Sequence, residues 1–134
     1  MKIFKLFLIA IFSLSLAGCP TDSSEDNPEN YIKVTNSSSE DIFIHITMNN
    51  EVVNADYFNE KPTKLIMVNQ TFSNGLSDYF FNDNKKLWIL LYKKSTIDNN
   101  TWTQIQDNNL FDKRYELTLG EVETFNYNIV YNGN

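Results

Sequence analysis

From residue 31 to residue 131, apolar side chains mostly alternate with polar ones at a spacing of two. The clearest alternation passes through Ile42, Ile44 and Ile46, and a shorter one passes through Ile32 and Val34. This spacing is typical of strands with one buried face, because successive side chains of a strand point to opposite faces. Further predicted strands cover residues 65–68, 87–92, 114–118 and 125–131. The pattern therefore predicts a β-rich domain.

Turn and cap signals divide this pattern. Asn74 and Gly75 predict the centre of a hairpin with a strand on each side, because both residues tolerate a positive φ. Thr101 and Thr118 are each followed three residues later by Gln or Glu, which is the spacing of a capping box at the start of a helix. We expect one or two short helical turns between strands.

Residues 87–92, with the sequence LWILLY, are apolar on both faces, which predicts a central strand that is covered on both sides. Around it we expect a core formed by Ile44, Ile46, Val68, Leu117, Phe125, Tyr127 and Ile129. About seven strands within residues 31–134 predict an all-β fold, a β-sandwich of immunoglobulin-like size. The Cys and Trp landmarks of true immunoglobulin domains are missing, so the prediction concerns architecture only.

The chain has 134 residues with one Cys and one His, which excludes a disulfide framework, a Cys/His nucleophile pair and a two-histidine metal centre. We expect no metal and no cofactor. At 42% hydrophobic residues the chain is too apolar for a disordered class, and its length suits one compact domain.

Residues 1–18 have the pattern of a secretory signal peptide, with Lys2 and Lys5 before an apolar run at residues 6–16. The junction Leu16-Ala17-Gly18-Cys19 resembles the lipobox of bacterial lipoproteins. That resemblance implies removal of the signal peptide and acylation of Cys19, which becomes the mature N-terminus. Two or three acyl chains would anchor the protein stably to a membrane. The expected location is the cell envelope, with the outer membrane and its surface favoured.

Residues 19–30 are predicted to be an acylated Cys followed by a flexible tether, because residues 20–30 contain four acids and no side chain suited to a core. Asp22, Glu25, Asp26 and Glu29 loosely resemble the surface-export signals of Bacteroidetes lipoproteins; an ordinary solvated linker is the alternative. Without Lys2 and Lys5, the mature chain has 9 basic and 17 acidic residues, a net charge near -8. Such a charge makes nucleic acid an unsuitable partner.

Three segments carry a resemblance to a family. They are the Trp102-x-x-Ile105 pair, residues 113–118 (KRYELT) and residues 126–131 (NYNIVY), with residues 32–38 adding a weaker match. Together they resemble small uncharacterised lipoproteins of gut Bacteroidetes. Gly120 and the lack of a Pro after Tyr131 depart from that pattern, and the former questions the second helical turn. The resemblance implies location and fold, and it implies no mechanism.

Aromatic side chains are the candidate ligand-binding residues. Tyr57 and Phe58 lie in the long connection predicted between residues 49 and 64, and long connections often carry function. Trp102 is the third candidate, with an end plug of the sandwich as the alternative. His45 is predicted on the face opposite Ile44, as a partly exposed structural histidine. The glycan-binding hypothesis expects a coplanar pair of exposed aromatic rings.

Paired acids are the remaining route to catalysis, since glycoside cleavage can proceed with two carboxylates. The candidate pairs are Glu40 with Asp41, Asp56 with Glu60, Asp78 with Asp83, and Glu121 with Glu123. None has a distinguishing context, and the Asn/Asp clusters lack the spacing of a calcium loop. We therefore predict no catalytic residues and a noncatalytic interaction or structural role. A glycan-binding accessory protein is the alternative, followed by a two-carboxylate hydrolase.

Overall fold

The computed structural model describes residues 30–134, so the predicted signal peptide, Cys19 and the tether up to residue 29 lie outside the described residues. Seven strands are formed in this part of the chain: β1 (Asn30–Asn36), β2 (Ile42–Asn49), β3 (Lys64–Ile66), β4 (Thr71–Leu76), β5 (Lys86–Lys93), β6 (Lys113–Leu117) and β7 (Asn128–Tyr131). Three short helices are α1 (Lys94–Asn99), α2 (Trp102–Asn108) and α3 (Leu119–Thr124), and 3-10 turns cover Ala55–Tyr57 and Asp78–Asn84. The predicted β-rich class and strand number are confirmed.

The strands form two sheets. The three-stranded sheet has the order β4-β1-β7, and the four-stranded sheet has the order β3-β2-β5-β6. All neighbouring strands are antiparallel except β1 and β7, the first and last strands, which are parallel. The first and last strands of the described residues therefore lie in the same sheet.

One apolar cluster contains side chains from both sheets. It includes Ile32 and Val34 of β1, Ile44 of β2, and Ile89 of β5, each at most 3% exposed. α3 adds Val122, which is fully buried. The alternation in β1 and β2 thus produces the inward faces that the sequence predicted.

A second cluster covers the opposite face of the four-stranded sheet. Trp88, Leu90 and Tyr92 of β5 pack there against Val53 and Ile105, which lie in the β2–β3 connection and in α2. Because Leu87, Ile89 and Leu91 point into the first cluster, β5 is buried on both faces. The prediction of a central strand at residues 87–92 is confirmed.

The two sheets are joined at the turn after β1 by the buried side chain of Asn36. Its Nδ2 donates to the carbonyl oxygens of Glu40 and Ile66 at 2.8 and 3.0 Å. Its Oδ1 accepts from the backbone N and the Oγ of Ser38 at 3.1 and 2.6 Å. Every polar atom of this fully buried amide is hydrogen-bonded, as burial requires.

The hairpin predicted at Asn74 and Gly75 is wrong. Both residues lie inside β4, where Asn74 pairs with Ile32 and Gly75 pairs with Tyr31. The turn into β4 instead occurs at Asn69, which has a φ of 62°. Asn tolerates this left-handed conformation, and pairing with β1 then holds the next residues extended. Tertiary pairing overrides a local turn preference here.

The predicted strand at residues 125–131 is shorter in the structure, and two predicted core positions change with it. Asn126 and Tyr127 have φ values of 49° and 56° after the end of α3, so β7 begins only at Asn128. Phe125 is 51% exposed and is not a core residue. Tyr127 and Ile46 are partly buried against the first cluster, whereas Ile44, Leu117 and Ile129 are buried as predicted. Val68 is only half-buried.

Both predicted capping boxes are present. The Thr101 and Thr118 side chains accept from the backbone N–H of Gln104 and Glu121, and the side chains of those residues accept from the backbone N–H of the two threonines. α3 forms despite Gly120, because two orphan N–H groups at its start are satisfied. α1 is a third helix that the sequence analysis did not predict.

Candidate functional site

The candidate site is built around His45, which lies on the outer face of β2. The imidazole stacks on the ring of Phe58, with centroids 3.9 Å apart and planes inclined by 13°. The rings of Tyr92 and Trp102 meet His45 edge-on, each at 5.6 Å between centroids. Four rings from β2, β5, α2 and the β2–β3 connection therefore form one aromatic cluster, which we call the His45 cluster.

Hydrogen bonds fix the β2–β3 connection over this cluster. The carbonyl oxygen of Phe58 accepts from Trp102 Nε1 at 3.3 Å and from Gln106 Nε2 at 2.8 Å. At the start of the connection, Arg114 donates to Asn54 Oδ1 at 2.5 Å while its guanidinium lies against the Trp88 ring. Since α2 is capped at Thr101, the sequence signals for α2 also position Trp102 and Gln106 for these contacts.

Burial lowers the pKa of His45 from 6.5 to about 4, against the opposing effect of a hydrogen bond with the Glu60 backbone. The imidazole is therefore neutral at neutral pH. Its Nδ1 lies 3.4 Å from the hydroxyl of Tyr92, whose pKa is raised by burial. Among the hydrogen bonds of residues 30–134, none joins His45 to a carboxylate side chain. The ring is arranged for packing and for neutral hydrogen bonds with the Glu60 backbone and the Tyr92 hydroxyl.

An open cavity of about 490 Å³ lies beside the His45 cluster. Its floor is the edge of the four-stranded sheet and its wall is the last part of the β2–β3 connection. Aromatic, amide, carboxylate and ammonium groups all line it: Ile44, His45, Ile46, Phe58, Asn59, Glu60, Lys61, Thr63 and Lys64. This mixture suits a polar ligand that also presents an apolar face.

The structure brings two of the three predicted ligand residues together. Phe58 and Trp102 both contact His45, and the carbonyl of Phe58 bonds the indole of Trp102. Tyr57 is 48% exposed and meets Phe58 at 5.2 Å with an interplanar angle of 81°. Tyr57 and Phe58 are thus perpendicular, in contrast to the coplanar pair that the glycan hypothesis expected, and His45 occupies one face of Phe58.

His45 is the member of the cluster that the sequence analysis did not connect with the aromatic candidates. Alternation along β2 placed it on the same face as Phe43 and Thr47, which is correct. Its contact with Phe58 joins residues 13 positions apart in sequence through a connection without regular periodicity. The sequence carries no spacing signal for that contact.

Several candidate carboxylates serve as acceptors for backbone N–H groups. Glu40 Oε1 accepts from the Ser95 N–H at 2.6 Å, Asp41 Oδ1 accepts from the Val68 N–H at 3.0 Å, and Glu121 caps α3. Hydrogen bonds from Ser95 lower the pKa of Glu40, and hydrogen bonds from Thr118 lower the pKa of Glu121. Glu40 and Glu121 therefore stay ionised as structural acceptors, a state that does not suit a general acid.

Asp78 lies in a different environment. One of its carboxylate oxygens is buried without a hydrogen-bond partner in residues 30–134. The side chain lines a second cavity of about 390 Å³, between the Asp78–Asn84 turn and the start of α3 at Leu119. Asp83, its predicted partner, is exposed and does not line this cavity.

The described residues form neither a cluster of metal ligands nor a helix that could cross a membrane. Within residues 30–134, no three side chains of His, Cys, Asp and Glu are placed to hold a metal ion together. None of the helices formed by those residues combines the length and apolar character needed to cross a membrane. The chain matches no protein-family model, no curated protein and no solved structure.

Proposed function

We propose that this protein is a lipoprotein of a bacterial cell envelope, anchored by acyl chains on Cys19, whose β-rich domain has a noncatalytic interaction role. The observation that carries the proposal is the Leu16-Ala17-Gly18-Cys19 junction after a charged start and an apolar run. All four positions fit a lipobox. The similarity to small lipoproteins of gut Bacteroidetes supports the same location, with the outer membrane as the favoured membrane.

We further propose that the two sheets pack face to face as a β-sandwich. The support is the single apolar cluster to which both sheets contribute, with Ile32 and Val34 from one sheet and Ile89 and Leu91 from the other. In a sandwich, the alternate side chains of both inner faces interdigitate in this way.

A noncatalytic role is supported by the chemistry of the ionisable side chains. His45 is neutral at neutral pH, stacks on Phe58 and meets Tyr92 and Trp102 edge-on. Glu40, Asp41 and Glu121 hold backbone N–H groups in place. These groups stabilise the fold. The cavity beside the His45 cluster and the exposed ring of Tyr57 support a binding surface better than a catalytic site.

The anchor is tested by changing Cys19 to Ala in the full chain and separating the cells into membrane and soluble fractions. We expect the unchanged protein in the membrane fraction, with acyl chains on Cys19 detected by mass spectrometry of the mature chain. The Cys19→Ala variant should move to the soluble fraction, because no helix formed by residues 30–134 can cross a membrane. Ser24→Ala, in the tether, is the matched control and should stay in the membrane fraction.

Continued membrane association of Cys19→Ala, or a mature chain with an unmodified thiol, contradicts the anchor. Protease treatment of intact cells then distinguishes the two sides of the membrane. If the protein is exposed on the cell surface, we expect protease to cleave the acidic tether while the cells are intact. The β-rich domain should resist the protease, because it is compact.

Glycan binding at the cavity beside the His45 cluster is the second candidate. The observation in its favour is the exposed ring of Tyr57 near a cavity that offers Asn59, Glu60 and Lys61 for hydrogen bonds. One free aromatic face with nearby polar groups can hold a sugar ring through stacking and hydrogen bonds.

This candidate predicts saturable binding of the mature chain to a polysaccharide on a glycan array. Tyr57→Ala should weaken binding about tenfold, the loss that corresponds to about 1.4 kcal/mol for one stacking contact. Tyr79→Ala, which removes another exposed tyrosine, is the matched control and should leave binding unchanged. An array without signal ends the glycan proposal.

A further inference from the structure

Four of the five exposed aromatic side chains within residues 30–134 lie at one end of the domain. The five are Tyr31, Tyr57, Tyr79, Phe80 and Phe125, exposed by 49%, 48%, 76%, 47% and 51%. Tyr57 lies away from the others, on the outer side of the four-stranded sheet. Exposed apolar side chains that lie together mark a surface suited to contact with a protein or a membrane.

Strand pairing places Tyr79 and Phe80 beside the start of β1. Asn30, the first residue of β1, pairs with Leu76, the last residue of β4. The chain therefore leaves the sheet next to Asn30 and enters the Asp78–Asn84 turn directly. Tyr31, one residue into β1, lies at the same edge.

Phe125 reaches this end through the parallel pairing of β1 and β7. The Lys33 N–H donates to the carbonyl of Tyr127 at 2.8 Å, and Asn30 Nδ2 donates to the Tyr127 hydroxyl at 3.1 Å. Phe125 is two residues before Tyr127, at the end of α3. Tyr31, Tyr79, Phe80 and Phe125 therefore all belong to segments that lie next to Asn30, the first residue of β1. We call this surface the tether end.

The proposed anchor is attached at the same point. Residues 20–29 separate Cys19 from β1, and these 10 residues span at most about 35 Å when fully extended. The tether end is therefore the part of the domain held closest to the headgroups. Because the tether keeps the local concentration high, a weak attraction is sufficient to hold this end at the bilayer.

We propose that the tether end docks on the lipid–water interface, with Tyr31, Tyr79, Phe80 and Phe125 inserted among the headgroups. This inference rests on the proposed lipid anchor and gives the anchored domain a fixed orientation. Tyr and other amphipathic rings favour the interface, where the ring contacts the acyl boundary and the hydroxyl remains hydrated. α1 begins at the opposite end of β5, so it would face away from the membrane.

Charge does not drive this contact. Ammonium and carboxylate groups are mixed near the tether end: Lys33, Lys85, Lys86, Asp78, Asp83, Glu121 and Glu123. The whole mature chain is acidic, so anionic headgroups offer no general attraction. The docking should therefore occur on zwitterionic lipid and should depend on the aromatic rings.

The test uses the acylated full-length mature protein in vesicles of phosphatidylcholine. Cys19 is the only Cys of the chain and its thiol is consumed by acylation, so Tyr79→Cys introduces a single site for an NBD label. Tyr57→Cys is the matched control, because it replaces an exposed tyrosine that lies away from the tether end. Phe125→Cys is a second reporter at the tether end.

We expect NBD at positions 79 and 125 to emit at shorter wavelength than at position 57. Doxyl-labelled lipid should quench the two tether-end labels about twofold or more above the control, as for groups buried at the acyl boundary. Equal emission and quenching at all three positions, with the protein floating on the vesicles, overturns the docking and leaves the anchor intact. A blue shift without lipid quenching indicates a protein-covered surface and also overturns it. Failure to float with vesicles overturns the anchor, and the docking with it.

Discussion

The two faces of β5 are buried by different means. Leu87, Ile89 and Leu91 face an aliphatic cluster to which both sheets contribute. Trp88, Leu90 and Tyr92 face an aromatic cluster covered by α1, α2 and the β2–β3 connection. The strand β5 is therefore covered by side chains of the other sheet on one face and by helices and a connecting segment on the other face.

The polar groups differ between the two faces as well. On the aromatic side, Trp88 Nε1 donates to the carbonyl of Asn49 at 3.1 Å, and Trp102 Nε1 donates to that of Phe58 at 3.3 Å. Asn49 is the last residue of β2 and Phe58 lies in the β2–β3 connection, and at both positions a carbonyl group is available for such a bond. The aromatic side can therefore hold indole and imidazole groups, and it is where the larger cavity lies. The outer face of the four-stranded sheet therefore carries both the buried polar aromatic groups and an open cavity.

The largest expected effect separates the neighbours Ile89 and Leu90, which point to opposite faces and are each fully buried. Both Ile89→Ala and Leu90→Ala remove methyl groups, at a cost of about 2–5 kcal/mol each. We expect the loss for Ile89→Ala to lie near the upper end of this range, because hydrogen-bonded sheets cannot close over the space that the lost methyl groups leave. The loss for Leu90→Ala should lie near the lower end. Urea unfolding of the non-acylated mature chain, carrying Cys19→Ser, measures both. Equal losses in the free energy of unfolding would contradict the proposed difference between the two faces of β5.

The second effect is the dependence of stability on pH through His45. The unfolded chain binds a proton with a pKa near 6.5, whereas the folded chain binds it only near pH 4. Above pH 6.5 His45 contributes no pH dependence. As pH falls from 6.5 to about 4, the unfolded state gains protons first, so the free energy of unfolding decreases by about 1–3 kcal/mol.

His45→Phe is the control, since it keeps an aromatic ring against Phe58 and removes the titration. Glu40 and Glu121 also lose stabilising interactions in acid, and they do so equally in both proteins because their lowered pKa values are unchanged. The difference in urea midpoint between the two proteins from pH 7 to pH 4 therefore isolates His45. A constant difference over that range would show that His45 has an ordinary pKa.

The smallest expected effect comes from the two capping boxes, one on each side of the four-stranded sheet. Thr101→Ala and Thr118→Ala should each lower the free energy of unfolding by about 1 kcal/mol. Only Thr101→Ala should also move the His45 NMR titration toward higher pH, because α2 positions Trp102 against the imidazole. The chain has a single His, so its ring resonance is unambiguous. A matching shift in Thr118→Ala would mean that the two faces are coupled.

Much of the secondary structure could be predicted because its signals are local. Alternation identified β1 and β2, the all-apolar run identified β5, and the Thr residues three positions before Gln or Glu identified α2 and α3. The errors arose where a distant strand decided the backbone. Asn74 and Gly75 have turn-forming side chains, but β1 pairs with them and holds them extended.

The candidate site was predictable only in part. Tyr57, Phe58 and Trp102 were identified from the length of a connection and from their chemistry. Their mutual angles, and the insertion of His45 between them, depend on how residues 50–63 fold back over the sheet. No periodicity describes that connection, so its path follows from packing against β5 and α2.

The sequence by itself determined the lipobox-like junction at Cys19, the acidic run at residues 20–30 and the alternation that favours strands, because each is a property of neighbouring residues. The tertiary structure alone decided the parallel pairing of β1 with β7, the neutral state of His45 and the gathering of four exposed rings around Asn30. Those features join residues far apart in the chain, and their energies come from contacts that exist only after the two sheets have formed.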